Sequence, residues 1–205
     1  MTTTRAPGHR ERKKQQTREA LSWAALRLAV DRGFGNVLVE DIAAEAGVSP
    51  RTFNNYFSSK AEAIVWRQLD RLRRVAELLR TRPPDEPLWE ALTAVVTLTF
   101  DHGEFLPDER WTTGVRLVLG EAELQGELVK GGAALERDYA AVIAERTGTD
   151  ADHDLYPLLV AAAVGAAIRV ASEQYLRADP PVPLPTLLRD ALSRLAAGLP
   201  TPAAG

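Results

Sequence analysis

Apolar residues in this chain recur at intervals of three and four almost throughout, and no stretch alternates apolar and polar residues between turn signals as a half-buried strand does. The spacing therefore predicts an all-α protein. Breaks fall at Gly33-Phe34-Gly35, Gly47, Arg82–Pro87, Gly103–Pro107, Gly120, Gly131-Gly132, Gly148–Asp154 and Asp179–Pro185. Glycine and proline clusters of this kind end helices. About nine helices are expected, near residues 11–31, 39–46, 50–57, 60–80, 88–101, 108–119, 122–146, 154–178 and 185–198. Two starts are marked by capping chemistry. Ser49-Pro50 offers a hydroxyl acceptor followed by a proline at the first helical position, and Ser59-Lys60-Ala61-Glu62 has the spacing of a capping box.

The chain has 205 residues, of which 45% are hydrophobic and 26% charged, the composition of one or two globular units with a substantial core. It contains no cysteine, which excludes disulfides, thiolate metal sites and cysteine nucleophiles. The formal net charge of −3 is unevenly spread: residues 1–60 carry ten Lys and Arg against six Asp and Glu, the rest fifteen against twenty-two. Arg5, Arg10, Arg12, Lys13, Lys14 and Arg18 face only Glu11 within the first eighteen residues. A basic end on an acidic body points to a negatively charged partner. The N-terminal segment lacks the apolar core of a signal peptide. The longest uncharged apolar run, Leu155–Ile168, is fourteen residues, shorter than the roughly 18–20 that span a bilayer. A cytoplasmic protein without membrane attachment is the expectation.

Val39–Phe57 reads as helix, glycine turn, helix. Ala43 permits a close crossing, Gly47 supplies the turn, and Val48 and Phe53 pack the second helix onto the first, the spacing of a helix-turn-helix. The outward positions of the second helix carry Arg51, Thr52, Asn54 and Asn55. Arg can bond guanine O6 and N7 through both arms of its fork, and Asn can do the same to adenine N6 and N7. These four are the candidate base readers. Ser49, Tyr56 and Lys60 flank them as candidate phosphate ligands, joined by Arg10, Lys13, Lys14 and Arg18.

Gly33-Phe34, then Val39-Glu40-Asp41-Ile42-Ala43-Ala44-Glu45-Ala46-Gly47-Val48-Ser49, then Arg51-Thr52-Phe53-Asn54-Asn55-Tyr56-Phe57-Ser58-Ser59-Lys60 resembles the N-terminal domain of the TetR family of bacterial transcriptional regulators. The likeness covers roughly residues 12–65. It implies a three-helix DNA-binding domain over residues 11–60 behind a disordered basic arm, 1–10. An effector-binding and dimerisation domain, 61–199, and a flexible tail, 200–205, would follow. The implied protein is a homodimeric repressor released from a palindromic DNA operator by a small molecule, with the eighth and ninth helices forming the dimer seam. In relatives a lysine at the position of Lys60 is usual and touches a phosphate. One departure stands out: relatives commonly carry threonines where this chain has Val37 and Leu38, so a cap oxygen and a phosphate contact are missing.

The body offers weaker signals. Ala162, Gly165 and Ala166 allow close approach of helix backbones, and Leu188, Leu192 and Leu195 recur at core spacing. These are the candidate dimer contacts, although the same pattern would serve as the protomer's own core. Trp66, Trp89, Phe100, Phe105, Trp111, Tyr139 and Tyr156 are candidates to line an effector pocket, and the scarcity of buried positive charge favours a lipophilic effector. A DNA-binding protein that answers to a protein partner, or to no effector, is an open alternative. The three histidines, His9, His102 and His153, form no acid–base or nucleophile constellation. No catalytic residue, metal ligand or cofactor is expected.

Overall fold

The computed structural model describes residues 8–101, 109–179 and 182–201, with only the backbone at 109–111. Nine α-helices and no strand occur among the described residues: α1 (His9–Arg32), α2 (Val39–Glu45), α3 (Pro50–Asn54), α4 (Lys60–Thr81), α5 (Leu88–Phe100), α6 (Glu109–Gly120), α7 (Ala122–Thr147), α8 (Leu155–Arg177) and α9 (Leu184–Ala196). A short 3-10 turn, Phe34–Asn36, lies between α1 and α2.

Local chemistry sets the ends of the N-terminal helices. Gly33, at φ +80°, leaves α1 in a conformation that L side chains rarely adopt, and the Asn36 amide donates to the Arg32 carbonyl at 2.8 Å. Gly47, at φ +69°, turns the chain between α2 and α3, with Val48 N–H bonded to Ala43 O at 2.9 Å. Ser49 caps α3 by accepting from Thr52 N–H at 3.1 Å, ahead of Pro50. The capping box of α4 is spread over an extra residue. Ser59 Oγ accepts from Glu62 N–H at 3.0 Å, but the Glu62 carboxylate reaches back to the Ser58 N–H and hydroxyl, each at 2.7 Å.

The chain divides into two compact units. The first takes in the residues up to Gln68 together with Glu109–Val129, and the second comprises the remainder from Leu69 and from Lys130 onward. The first unit thus extends beyond residue 60, where the sequence suggested a boundary, and includes α6, which packs on α1. Gly114 makes that approach possible, since a Cβ there would lie 3.3 Å from Leu26 Cδ1. At the other end, α1 begins at His9, so Arg10 belongs to a helix and not to the expected arm. No helix-breaking residue lies between Gly8 and Glu11, and Glu11 suits the positive end of the helix.

The core of the first unit joins Leu21, Ala25 and Leu28 of α1 to Ile42, Ala43, Phe53, Phe57 and the start of α4. The buried Ser22 hydroxyl donates to the Ala63 carbonyl at 2.6 Å, tying α1 to α4. In the second unit α9 packs on both α8 and α5. Leu184, Leu188 and Leu192 form its inward stripe. Arg146 closes the turn after α4 by donating to the carbonyls of Arg82, Pro83 and Glu86 at 3.2, 2.8 and 3.0 Å. The Gly131-Gly132 pair does not break α7. A Cβ at Gly131 would overlap the Leu69 side chain, whose Cγ lies 3.2 Å away; here glycine serves close packing inside a continuous helix.

Candidate functional site

The second half of the helix-turn-helix separates its side chains cleanly. Phe53 and Phe57 are buried with ring centroids 5.8 Å apart. Arg51, Asn54 and Asn55 are exposed, and no side-chain hydrogen bond engages them among the described residues. Thr52 is half-buried, its hydroxyl 2.9 Å from Ser49 Oγ. α3 ends at Asn54, short of the expected residue 57, so Arg51 and Asn54 on the helix and Asn55 at its C-cap present donors on one exposed surface suited to base edges in a major groove.

The expected phosphate ligands fall into two groups. Arg10, Lys13 and Lys14 are exposed on the first turns of α1, one face at spacings of three and four. Ser49 is exposed with its oxygen committed to the cap, and Tyr56 is half-buried. Arg18 and Lys60 are turned inward. The Arg18 guanidinium lies 5.3 Å from the Phe57 ring and 5.5 Å from the Trp66 ring and donates to Tyr56 O at 3.4 Å; its buried Nε has no hydrogen-bond partner. Lys60 Nζ donates to Phe34 O at 2.9 Å and Val37 O at 3.0 Å, over the Phe34 ring at 4.5 Å.

The described aromatic candidates for a pocket have different surroundings. Trp66 belongs to the core of the first unit, edge-on to Phe57 at 6.3 Å. Phe100 is buried in the core and Trp89 is half-buried on α5, while Tyr156 is 46% exposed. Phe105 and the Trp111 side chain lie outside the described residues, as does His102. Tyr139 borders a cavity of about 60 Å³ where α4, α7 and α8 meet. Leu72, Leu135, Val164 and Ile168 give it apolar walls, with Glu136 and Gly165 also at its border. The Tyr139 hydroxyl donates to Leu72 O at 2.7 Å, and burial pushes the phenol well above its ordinary pKa, so it stays a donor. The sequence signal for this cavity was the glycine pair in α7 and the small residues of α8, not the aromatics.

The proposed seam residues also divide. Ala162, Gly165 and Ala166 are exposed on α8, in line with Leu155, Leu158, Leu159 and Val170. Leu188 and Leu192, however, are fully buried within the protomer, because the apolar stripe of α9 is covered by its own α8 and α5. They are core residues, and Leu195 is half-buried beside them. α8 is long and apolar enough to cross a bilayer by length and composition. Its inner side instead packs on α9, with Val160, Val164, Ala167 and Ile168 buried. Beyond α7, His153 is exposed with Nδ1 3.0 Å from Asp150 Oδ2. Asp150 is held below the usual carboxylate range, first by the Asp152 N–H and then by His153.

Residues 23–63 match the profile of the bacterial regulatory proteins of the tetR family, and residues 86–200 match the MftR C-terminal domain of the same group. The chain belongs to the TetR family of transcriptional regulators. It is 32% identical over 183 residues to the HTH-type transcriptional regulator TcmR of Streptomyces glaucescens, covering 86% of this chain and 81% of TcmR. It is also 31% identical over 191 residues to a Mycobacterium tuberculosis protein named as the mycofactocin biosynthesis transcriptional regulator MftR, covering 92% and 93% of the two chains. The crystal structure of Thermus thermophilus FadR with lauroyl-CoA shares the fold at a TM-score of 0.58 and 20% identity, over 91% of this chain and 97% of that one. The family fixes the class of activity: this TetR-family protein is a DNA-binding transcriptional regulator with a helix-turn-helix, and not an enzyme.

Proposed function

We propose that this regulator works in the cytoplasm as a homodimeric repressor that reads a palindromic operator through α3 and is released by a small lipophilic effector. The observation that carries the reading is the trio of exposed, unengaged side chains on α3 and at its C-cap, Arg51, Asn54 and Asn55, with Thr52 beside them. Arg10, Lys13 and Lys14 would supply phosphate contacts from α1, with Tyr56 and Ser49 at the ends of α3. A two-fold dimer would present two such helices about 34–36 Å apart, or a multiple, matching half-sites spaced by whole turns. The uncovered apolar line of α8, Leu155, Leu158, Leu159, Ala162, Gly165 and Ala166, supports a seam with a second copy, since such a stripe is normally covered.

The cavity bordered by Tyr139 is the proposed effector site. Apolar walls and the absence of Lys or Arg at its border favour a lipophilic ligand, of the chemical kind represented by the acyl chain in the Thermus relative. Ligand-filled sites run to about 300–1,000 Å³, so an effector would have to part α7 from α8 as it enters. α4 and α7 each continue from one unit into the other and would carry that displacement toward the reading head, coupling the two sites. The small size of the cavity also favours a second reading, a regulator that answers to no small molecule.

The deciding experiment is a salt-dependent mobility shift with the DNA upstream of the gene. Binding of an inverted repeat there at least ~10³ more tightly than random DNA supports a specific repressor, and equal binding of both contradicts it. A thermal-shift screen with acyl compounds separates the effector readings: stabilisation by a compound that also releases DNA supports the first, and none supports the second.

A further inference from the structure

Two helices, α4 and α7, run through both units of the chain. α4 passes from one to the other between Gln68 and Leu69, and α7 between Val129 and Lys130. Leu69 and Gly131, each within two residues of such a crossing, meet at a separation that leaves no room for a side chain on α7. A Cβ at Gly131 would overlap Leu69 Cδ1 and lie 3.0 Å from Cδ2 and 3.2 Å from Cγ. Leu69 is only 8% exposed, so its side chain is packed on its other sides too. Turning χ2 moves the two methyl carbons alone. The contact at Cγ yields only if χ1 leaves its staggered well or the helices part.

At Gly126 and Gly132, on the same helix, a Cβ would meet nothing within 4 Å. Glycine is among the poorest helix formers; at residue 131 its missing side chain sets how near α4 lies to α7. The proposed effector cavity is next to this contact. Gly132 follows Gly131, Leu72 lies three residues after Leu69, and both border the cavity. The Tyr139 hydroxyl donates to Leu72 O at 2.7 Å. α4 is thus tied to α7 beside the cavity by a tight apolar contact and a hydrogen bond. At about 60 Å³ the cavity is far smaller than ligand-filled sites, so this close arrangement is the ligand-free one. In a repressor released by its effector, the ligand-free arrangement is the one that binds DNA.

We infer that Gly131 and Leu69 form the positioning contact through which the spacing of α4 and α7 governs operator binding. Held at its tightest, the contact permits the DNA-bound form; widened, it releases DNA. The inference rests on the operator and effector roles proposed above and adds to them the point at which α4 is moved. A single methyl group at residue 131 then does without ligand what an effector does by entering, since both favour the wider state.

The experiment uses the full-length protein and DNA selected by the wild type from a random pool, with Gly131→Ala, Gly126→Ala and the double variant Gly131→Ala/Leu69→Ala. Affinities for the selected palindrome and for a single half-site are measured without added ligand, at a temperature where circular dichroism finds each variant folded. Gly131→Ala should weaken palindrome binding by a factor within the roughly 5–150-fold range of allosteric coupling. Its half-site affinity should be unchanged, because α3 itself is intact. Gly126→Ala, the same substitution on the same helix, should match the wild type. The double variant removes the atoms that the new methyl meets, so it should recover most of the palindrome affinity even though trimming Leu69 lowers the melting temperature. Affinity and stability moving in opposite directions separate a positioning contact from a merely structural one. Wild-type palindrome binding by Gly131→Ala overturns the inference, since Leu69 then simply rotates aside. A loss that falls equally on the half-site, or that persists in the double variant, overturns it as well. Should the double variant fail to fold, Gly131→Ala decides: a loss confined to the palindrome supports the inference, and any other result contradicts it. A wild type that enriches no sequence contradicts the operator reading and takes this inference with it, whereas selection by the wild type beside an unaffected Gly131→Ala contradicts this inference alone.

Discussion

The reading head and the α8–α9 pair are built from similar helical patterns but use them in opposite ways. On α3 and the turn after it the apolar positions, Phe53 and Phe57, are buried and Arg51, Asn54 and Asn55 stand outside. On α8 the inward side is apolar and much of the outward side is apolar as well, from Leu155 through Leu159 to Val170. α9, by contrast, keeps Leu184, Leu188 and Leu192 for its own protomer. An amphipathic helix with one apolar stripe is satisfied by its own fold, whereas a helix with two leaves one of them exposed, the kind of patch that marks interaction surfaces. The comparison teaches how each surface is laid out: α3 presents polar side chains outward, α8 leaves an apolar line exposed, and α9 turns its apolar stripe inward.

The largest effects should come from the committed core on each side. Phe53→Ala, which empties a fully buried site, should cost about 3–5 kcal/mol in thermal or urea unfolding and abolish DNA binding at physiological temperature. Leu188→Ala should cost about 2–5 kcal/mol while leaving the oligomeric state of the folded fraction unchanged by sedimentation. A monomer with undiminished stability would return Leu188 to the seam and break the comparison. Ala166→Glu should do the reverse, dissociating the dimer with a change in protomer stability within about 0.5 kcal/mol, as for other surface substitutions. A dimer that survives this charge would remove α8 from the interface.

The smallest effect sharpens the second unit alone. Glu86 is held below the usual carboxylate range chiefly by its hydrogen bond to Arg82, with Arg146 adding a weaker pull. A depressed carboxylate stabilises the fold above its unfolded pKa, about 4.3 for Glu, and that contribution fades as pH falls through the lower folded value. The pair is solvent-accessible, so the stabilisation is small. Melting temperatures of wild type and Glu86→Gln should differ slightly at neutral pH and converge below the Glu range; a gap that widens in acid contradicts the assignment.

Most of the fold was legible because helix starts and stops depend on neighbours in sequence. Ser49-Pro50, Gly47 and the Arg82–Pro87 run act locally, and the helices begin and end within a few residues of them. The reading head was legible for the same reason, since a short helix after a fixed turn leaves its faces no choice. What the sequence could not resolve depends on contacts between distant residues. Gly131-Gly132 reads as a break until Leu69 is seen against it. Trp66 and Tyr139 look alike in sequence, yet one packs on Phe57 and the other borders a cavity. Arg18 and Lys60 look like surface cations, and only the positions of Phe57, Trp66, Phe34 and Val37 turn them inward.

The central claim, that α3 reads sequence, is tested most directly by measuring Arg51→Ala against every single-base variant of the wild-type protein's selected DNA. The account predicts a loss of about 1–3 kcal/mol confined to one symmetric pair of positions, with discrimination at those positions gone and the rest retained. Unchanged binding, or uniform weakening with full discrimination everywhere, would contradict it.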